Sequence, residues 1–425
     1  MKTLDQVAAS LQGYDPQALR ADKALQFLQT LVTPVAQTER VALKAALGRV
    51  LCADVVSPID VPAHDNSAMD GFAFRGALLQ ADQALTLQVA GTALAGKAWA
   101  GTVTDQQCLK IMTGAVMPAG LDTVVPQELV QVQGDMVTIP AGALRAGDNR
   151  RFQGEDLRKD KPALLAGSTI GPAALGLLAS LGIPTVEVRR PLRVAFFSTG
   201  DEILSLGDAP REGAVYDSNR YTLFGLLTRM GVEVLDMGVV RDDPAALEAA
   251  FASAAAQADA IITSGGVSVG EADHTKAVMR KMAGGENGVA FWKIAMRPGR
   301  PMAVGRIGSA VLFGLPGNPV AVMVTFLAFV RPALLQMMGA KAVVTPLLKA
   351  RSSEAIRKKP GRTEYQRAVV TTTANGSLEV RTTGQQGSGV LSSMVAANGL
   401  LVLHHDQGNV AVGDEVDMLM FDGVI

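Results

Sequence analysis

The sequence predicts a multidomain α/β protein, and three observations carry that expectation. Between residues 191 and 340, apolar strand-like runs alternate with helix-like runs, the pattern of a mostly parallel sheet with helices on both faces. At 75–150 and 345–425, short alternating runs broken by Gly, Pro and Asp read as β-rich modules. The chain is 425 residues long, room for about two to four domains.

Taken in order, residues 16–32 place Leu19, Ala24, Leu25, Leu28, Leu31 and Val32 near helical spacing, and 38–47 reads as a second short helix stopped by Gly48. A strand-like LCADVVSP leads into the loop VPAHDNSAMDGFAF at 61–74. LTLQVAG, CLKIMTG, DTVVPQELV and DMVTIP then form a small β module, and GPAALGLLASLG at 171–182 returns to helix, so the module reads as an insertion. LRVAFFSTG, VEVLDMGVV, ADAIITSGGVSVG and SAVLFGLPGNP are four expected strands, with helices at 219–230, over DPAALEAAFASAAAQA and at 319–330. Asn375-Gly376 between alternating runs is a hairpin signal, and AANGLLVLHHDQGNVAVGDEVDML adds two strand-and-turn units, so a C-terminal barrel or sandwich is expected. The expected division is a linking helical domain at 1–57 and 151–190, an inserted β-rich domain at 58–150, an α/β domain at 191–340 and a C-terminal β domain at 341–425.

Composition excludes several classes. With 39 basic and 40 acidic residues the net charge is −1, which gives no broad field for nucleic acid or membrane. The apolar run at 320–330 is shorter than the ~20 residues a membrane span needs and reads as a core helix. The N-terminus lacks the apolar segment of a signal peptide, so a soluble, cytoplasmic protein is expected. Cys52 and Cys108 form no CxxC or Cys/His cluster, and His64, His274, His404 and His405 do not suggest a zinc site.

Ligands of open α/β sheets bind beyond the carboxyl ends of the strands. Those ends carry Thr199, Gly200 and Glu202 after the first strand, and Asp242 after the second. The third carries Ser264, Gly265, Gly266, Ser268, Gly270 and Asp273, and the fourth carries Pro316 and Pro319. Glycines let backbone N–H groups approach an anion, and carboxylates are hard ligands for Mg²⁺. Together they suggest a nucleotide or pyrophosphate held with a divalent cation. Asp243 precedes Pro244 and reads as a helix cap, which leaves Asp242 the freer acid. Asp273 reads equally as cap or ligand, Asp217 and Ser218 as caps, and Glu271 as a solvated loop acid. Lys293, Arg297 and Arg300 in FWKIAMRPGRP form a compact basic segment, a candidate anion clamp.

The runs SPIDVPAHDNSAMDGFA, KIMTGAVMP, RFQGEDL, FSTGDEI, YDSNR, VVRDDP, TSGGVSVGEADHTK, FWKIAMRPGRP, GLPGNPVA, GRTEYQR and TTGQQGS occur in order between residues 57 and 388. Together they resemble the molybdopterin molybdenumtransferase family, MoeA-like proteins that include the E domain of gephyrin. The resemblance implies a molybdenum-cofactor-binding three-layer α/β domain, a β-rich insertion, a helical linking domain and a C-terminal β-barrel. It implies an enzyme that inserts molybdate into the dithiolene of adenylylated molybdopterin, with Mg²⁺-dependent release of AMP. It also implies a homodimer with its cleft between subunits, and transient contact with other cofactor-biosynthesis proteins. By motif match, Asp70, Asp156, Glu202, Asp242 and Asp273 are the implied functional acids, the last three handling Mg²⁺ and molybdate. Thr113, Lys293, Arg367 and Ser388 are implied ligand contacts, with Pro316 and Pro319 shaping their loop. The sequence departs from the pattern at Arg297 and Arg300, where lysines are common, and at His64, where an apolar aromatic is usual and a packed neutral ring is expected. Two rivals remain: an enzyme that adenylylates molybdopterin with ATP, and a non-catalytic scaffold.

Overall fold

The computed structural model describes residues 2–267 and 274–421. It divides into two compact units, one comprising Met1–Ala53, Gly167–Pro172 and Thr185–Ile425, the other Asp54–Ala166 and Ala173–Pro184. The segments expected as a linking domain are thus shared between the two.

The first unit is built on a six-stranded sheet ordered Glu233–Val240, Arg193–Thr199, Ala260–Ser264, Ala310–Leu315, Pro301–Ile307, Val289–Lys293. The first four strands are parallel, and the last two run antiparallel to their neighbours. Side chains alternate between faces along a strand. Val194 and Phe196 accordingly join one core with Leu223 and Phe326, while Ala195 and Phe197 join the other with Leu247 and Phe251. Both faces are covered, which is why these strands read as continuous apolar runs. The three-layer α/β expectation therefore holds.

The helix expected at 319–330 continues to Met337, and its middle turns, Phe326–Val330, are π-helical. It is long and apolar enough to span a membrane, but 78% of its apolar window is buried within the fold. Its side chains share one core with Phe27, Leu28 and Leu31 of the helix Ala21–Leu31 and with Leu400 and Val402.

The C-terminal strands close on themselves. Thr363–Thr372 pairs with Leu378–Thr382 and with Gly399–Leu403; Leu348–Ser352 bridges Leu378–Thr382 to Glu415–Met420, which returns to Gly399–Leu403. This is a closed five-stranded barrel, filled by Ala368, Val380, Leu401 and Met418. The Asn375-Gly376 turn joins Thr363–Thr372 to Leu378–Thr382, as the dipeptide implies.

The segment 38–47, expected as a helix, is instead the strand Thr38–Ala42 followed by a 3₁₀ turn, Leu43–Ala46. Thr38–Ala42 pairs with Thr185–Arg189, far away in sequence, and that distant partner overrides local helix propensity. The second unit contains an open six-stranded sheet in which Gly71–Phe74 lies between Thr123–Pro126 and Gln107–Ile111.

Candidate functional site

The carboxyl ends of the parallel strands open onto a cavity of about 760 Å³ in the first unit. One wall is acidic. Glu202 follows the strand Arg193–Thr199 and is exposed to the cavity. Asp242 follows Glu233–Val240 and accepts a 3.3 Å hydrogen bond from the buried Thr275 hydroxyl. Its neighbour Asp243 accepts from the Ala246 N–H at 2.9 Å and caps the helix Pro244–Gln257. Asp217 likewise caps Ser218–Arg229, whereas Ser218 is that helix's first residue.

Gly265 has φ +90°, and a Cβ there would lie 2.5 Å from the Thr199 carbonyl oxygen. Its N–H donates to the Leu315 carbonyl, so this amide holds neighbouring strand exits together and is not free for a phosphate. That corrects the simplest anion-cradle expectation at this position. Thr199, Gly200, Gly266 and Pro316 line the same cavity.

The opposite wall is cationic. Arg297 and Arg300 both line the cavity and are exposed. A third guanidinium, Arg362, joins them and is held by a 2.8 Å ion pair to Glu364, which is only 2% exposed. Arg362 shares the GRTEYQR run with Arg367, the arginine the motif match points to, and nothing local in the sequence separates the two. Arg367 is 1% exposed and does not line this cavity. Its Nε donates to Ser393 Oγ at 2.9 Å and its Nη2 to the Gln385 and Gly387 carbonyls at 3.2 and 2.9 Å. Burial, with nearby Arg297, pushes its pKa down to about 10. Arg367 therefore sets the loop that presents Gln386, Gly387 and Ser388 to the cavity.

Lys293 also stands off the cavity. It ends the strand Val289–Lys293, and its N–H donates to the Pro16 carbonyl at 2.7 Å. The basic segment lies between the third and fourth parallel strands in sequence: it starts within the strand Val289–Lys293, and its Met296–Arg297 pairs in parallel with Thr363–Glu364 of the C-terminal barrel. A neighbouring cavity of about 580 Å³ shares Thr199, Glu202, Gly265, Gly317 and Asn318 with the first, and is also lined by Ser264 and Pro319.

Ser268, Gly270, Glu271 and Asp273 lie outside the described residues. Among the described residues no group of three His, Cys, Asp or Glu could hold a metal; Glu202 and Asp242 are the described members of the expected set.

Asp70, Thr113 and Asp156 belong to the second unit. Asp70 accepts from the Thr113 N–H at 2.6 Å and from its hydroxyl at 2.9 Å, and these bonds, the backbone one foremost, hold its carboxyl below the usual range. The SAMDG and IMTGA runs thus interlock. Asp156 is exposed, and its N–H donates to the Val61 carbonyl. His64 is exposed and not packed as expected, because its loop runs over the surface. Asp65 beside it, not singled out from the sequence, accepts from the Gln153 N–H at 2.7 Å and pairs with Arg150, which together lower its pKa.

Three family models match in series: the MoeA N-terminal region (domains I and II) at residues 19–182, a probable molybdopterin binding domain at 195–336, and the MoeA C-terminal region (domain IV) at 349–421. The molybdopterin molybdenumtransferase of Haemophilus influenzae is 41% identical over 92% of this chain and 95% of its own length. Molybdopterin molybdenumtransferase 2 of Mycobacterium tuberculosis is 36% identical over 89% and 94%. Among solved structures, the molybdopterin biosynthesis moeA protein of Pyrococcus horikoshii OT3 is similar, with a TM-score of 0.79 and 28% identity, covering 95% of this chain and 100% of that one.

Proposed function

Because the chain belongs to the molybdopterin molybdenumtransferase family, and is thus a transferase of molybdenum cofactor biosynthesis, we propose that it inserts molybdate into the dithiolene of adenylylated molybdopterin with release of AMP. One observation carries this reading: a single cavity sets two carboxylates, Glu202 and Asp242, against three guanidiniums, Arg297, Arg300 and Arg362.

The guanidinium wall suits a tetrahedral dianion, since each planar fork can donate to two oxygens. Gln386 and Ser388, on the loop that Arg367 braces through the Gly387 carbonyl, add neutral polar groups at its edge. The carboxylate wall suits the phosphoanhydride end of the pterin nucleotide through a hard cation. Glu202 and Asp242 are the residues that would hold Mg²⁺, which when bound neutralises phosphate charge. The thiolates that take the metal belong to the pterin. This fits a chain whose Cys108 thiol is buried and pushed up to about 12. Asp70, Thr113 and Asp156 enter the proposal on the family resemblance alone, as do a homodimeric state, transient contacts with other enzymes of the pathway and a cytoplasmic location.

The test is to incubate the purified protein with adenylylated molybdopterin, molybdate and Mg²⁺, and to follow AMP release and molybdenum loading. AMP and loaded cofactor are expected together, and neither without molybdate and Mg²⁺. Consumption of ATP with plain molybdopterin would instead favour the adenylylating rival, and tight pterin binding without turnover the scaffold.

A further inference from the structure

The second cavity carries a feature that the two-walled site does not use. Asp217 is 3% exposed, Asn219 8% and Thr199 4%, and all three line this cavity. Asp217 uses Oδ1 twice, accepting from the Ser198 hydroxyl at 2.9 Å and from the Arg220 N–H at 3.0 Å. Its Oδ2 is buried and has no partner among the described residues. Asn219 donates its Nδ2 to the Gly317 carbonyl at 2.7 Å, which fixes the carboxamide orientation and leaves Oδ1 buried and without a partner among the described residues. Thr199 Oγ1 is a third buried polar atom without a partner among the described residues.

A buried acceptor left unpaired costs about 1–3 kcal/mol, so two such acceptors on residues that line one cavity suggest a donor that arrives with a ligand. Helix capping explains only half of Asp217, because a cap needs one oxygen. Two acceptors select a ligand edge that offers adjacent N–H groups and no competing acceptor. The 2-amino-4-oxo pyrimidine edge of a pterin is such an edge, with its N3–H beside its 2-amino group.

We propose that Asp217 and Asn219 form the pterin-recognition subsite, Asp217 Oδ2 and Asn219 Oδ1 accepting from the N3–H and 2-amino donors. This rests on the functional reading above and deepens it. Because the two cavities share Thr199, Glu202, Gly265, Gly317 and Asn318, a ligand seated here extends toward the acid wall.

Binding is tested on the full chain by fluorescence titration with pterin and with lumazine, in which an oxo group replaces the 2-amino donor. The wild type should bind pterin about tenfold or more tightly than lumazine, since a site built to accept hydrogen bonds rejects the analogue that lacks them. Asp217→Asn keeps the shape and the cap but turns Oδ2 into a donor; it should erase or invert that preference. Asn219→Ala leaves the cap untouched, should also weaken pterin binding, and serves if Asp217→Asn does not fold. Equal affinity for the two ligands, no saturation by pterin, or an unchanged preference in the variants overturns the subsite. AMP release by the wild type is measured alongside. Turnover without pterin-over-lumazine discrimination sinks the subsite alone, whereas absent turnover sinks the functional reading.

Discussion

The two walls of the main cavity are assembled in different ways. Glu202 and Asp242 sit directly at the exits of adjacent parallel strands, Arg193–Thr199 and Glu233–Val240, and each is placed by the strand that precedes it. The guanidinium wall is gathered from farther apart: Arg297 lies in the short strand Met296–Arg297, which pairs with the barrel strand Thr363–Thr372, Arg300 in the connection that leads to Pro301–Ile307, and Arg362 just before that barrel strand. A second layer supports it, with Glu364 gripping Arg362 and Arg367 gripping the Gln385 and Gly387 carbonyls. An acid at a strand exit is a local feature, whereas the cationic wall exists only once the barrel has closed beside the sheet.

Mutations can break this contrast. The largest effect is expected for Asp242→Ala, which should cut Mg²⁺-dependent AMP release by on the order of 10²-fold or more without unfolding the protein. Steady-state turnover and a thermal melt check this together. Arg362→Ala should instead raise the molybdate KM by about tenfold to a hundredfold, the worth of one charge-assisted hydrogen bond, and largely spare the rate at saturating molybdate. Arg367→Met leaves two loop carbonyls unsatisfied and should cost about 1–3 kcal/mol in denaturant unfolding. It should also raise the molybdate KM through Ser388, and Arg367→Met with Ser388→Ala combined should raise KM by less than the product of the single effects. The smallest effect belongs to Asp243→Ala, which removes a cap worth about 1 kcal/mol and should leave turnover nearly intact. If Asp242→Ala and Asp243→Ala exchange behaviours, the assignment of ligand and cap is reversed.

The same contrast explains what could be read from the sequence. Alternation of strand and helix revealed the three-layer domain, and Asn375-Gly376 marked a hairpin of the C-terminal barrel, because both signals are local. The split between Asp242 and Asp243 followed from Pro244 fixing the first helical residue. Thr38–Ala42 was misread because its partner, Thr185–Arg189, is far away in the chain. Lys293 reads as part of a clamp because it shares a compact basic segment with Arg297 and Arg300, whereas its backbone N–H is tied to the Pro16 carbonyl. Arg362 and Arg367 stand five apart in one motif, and only the closed barrel separates the one that faces the cavity from the one that braces the loop behind it. Asp217 could be recognised as a cap, but its idle second oxygen is a property of packing.

The most direct test of the two-wall arrangement is AMP release measured against molybdate concentration for wild type, Arg362→Ala and Asp242→Ala. Separate walls for separate substrates require a raised molybdate KM with near-normal saturating rate in Arg362→Ala, and a collapsed rate at every molybdate concentration in Asp242→Ala. Matching profiles for the two variants would contradict that division.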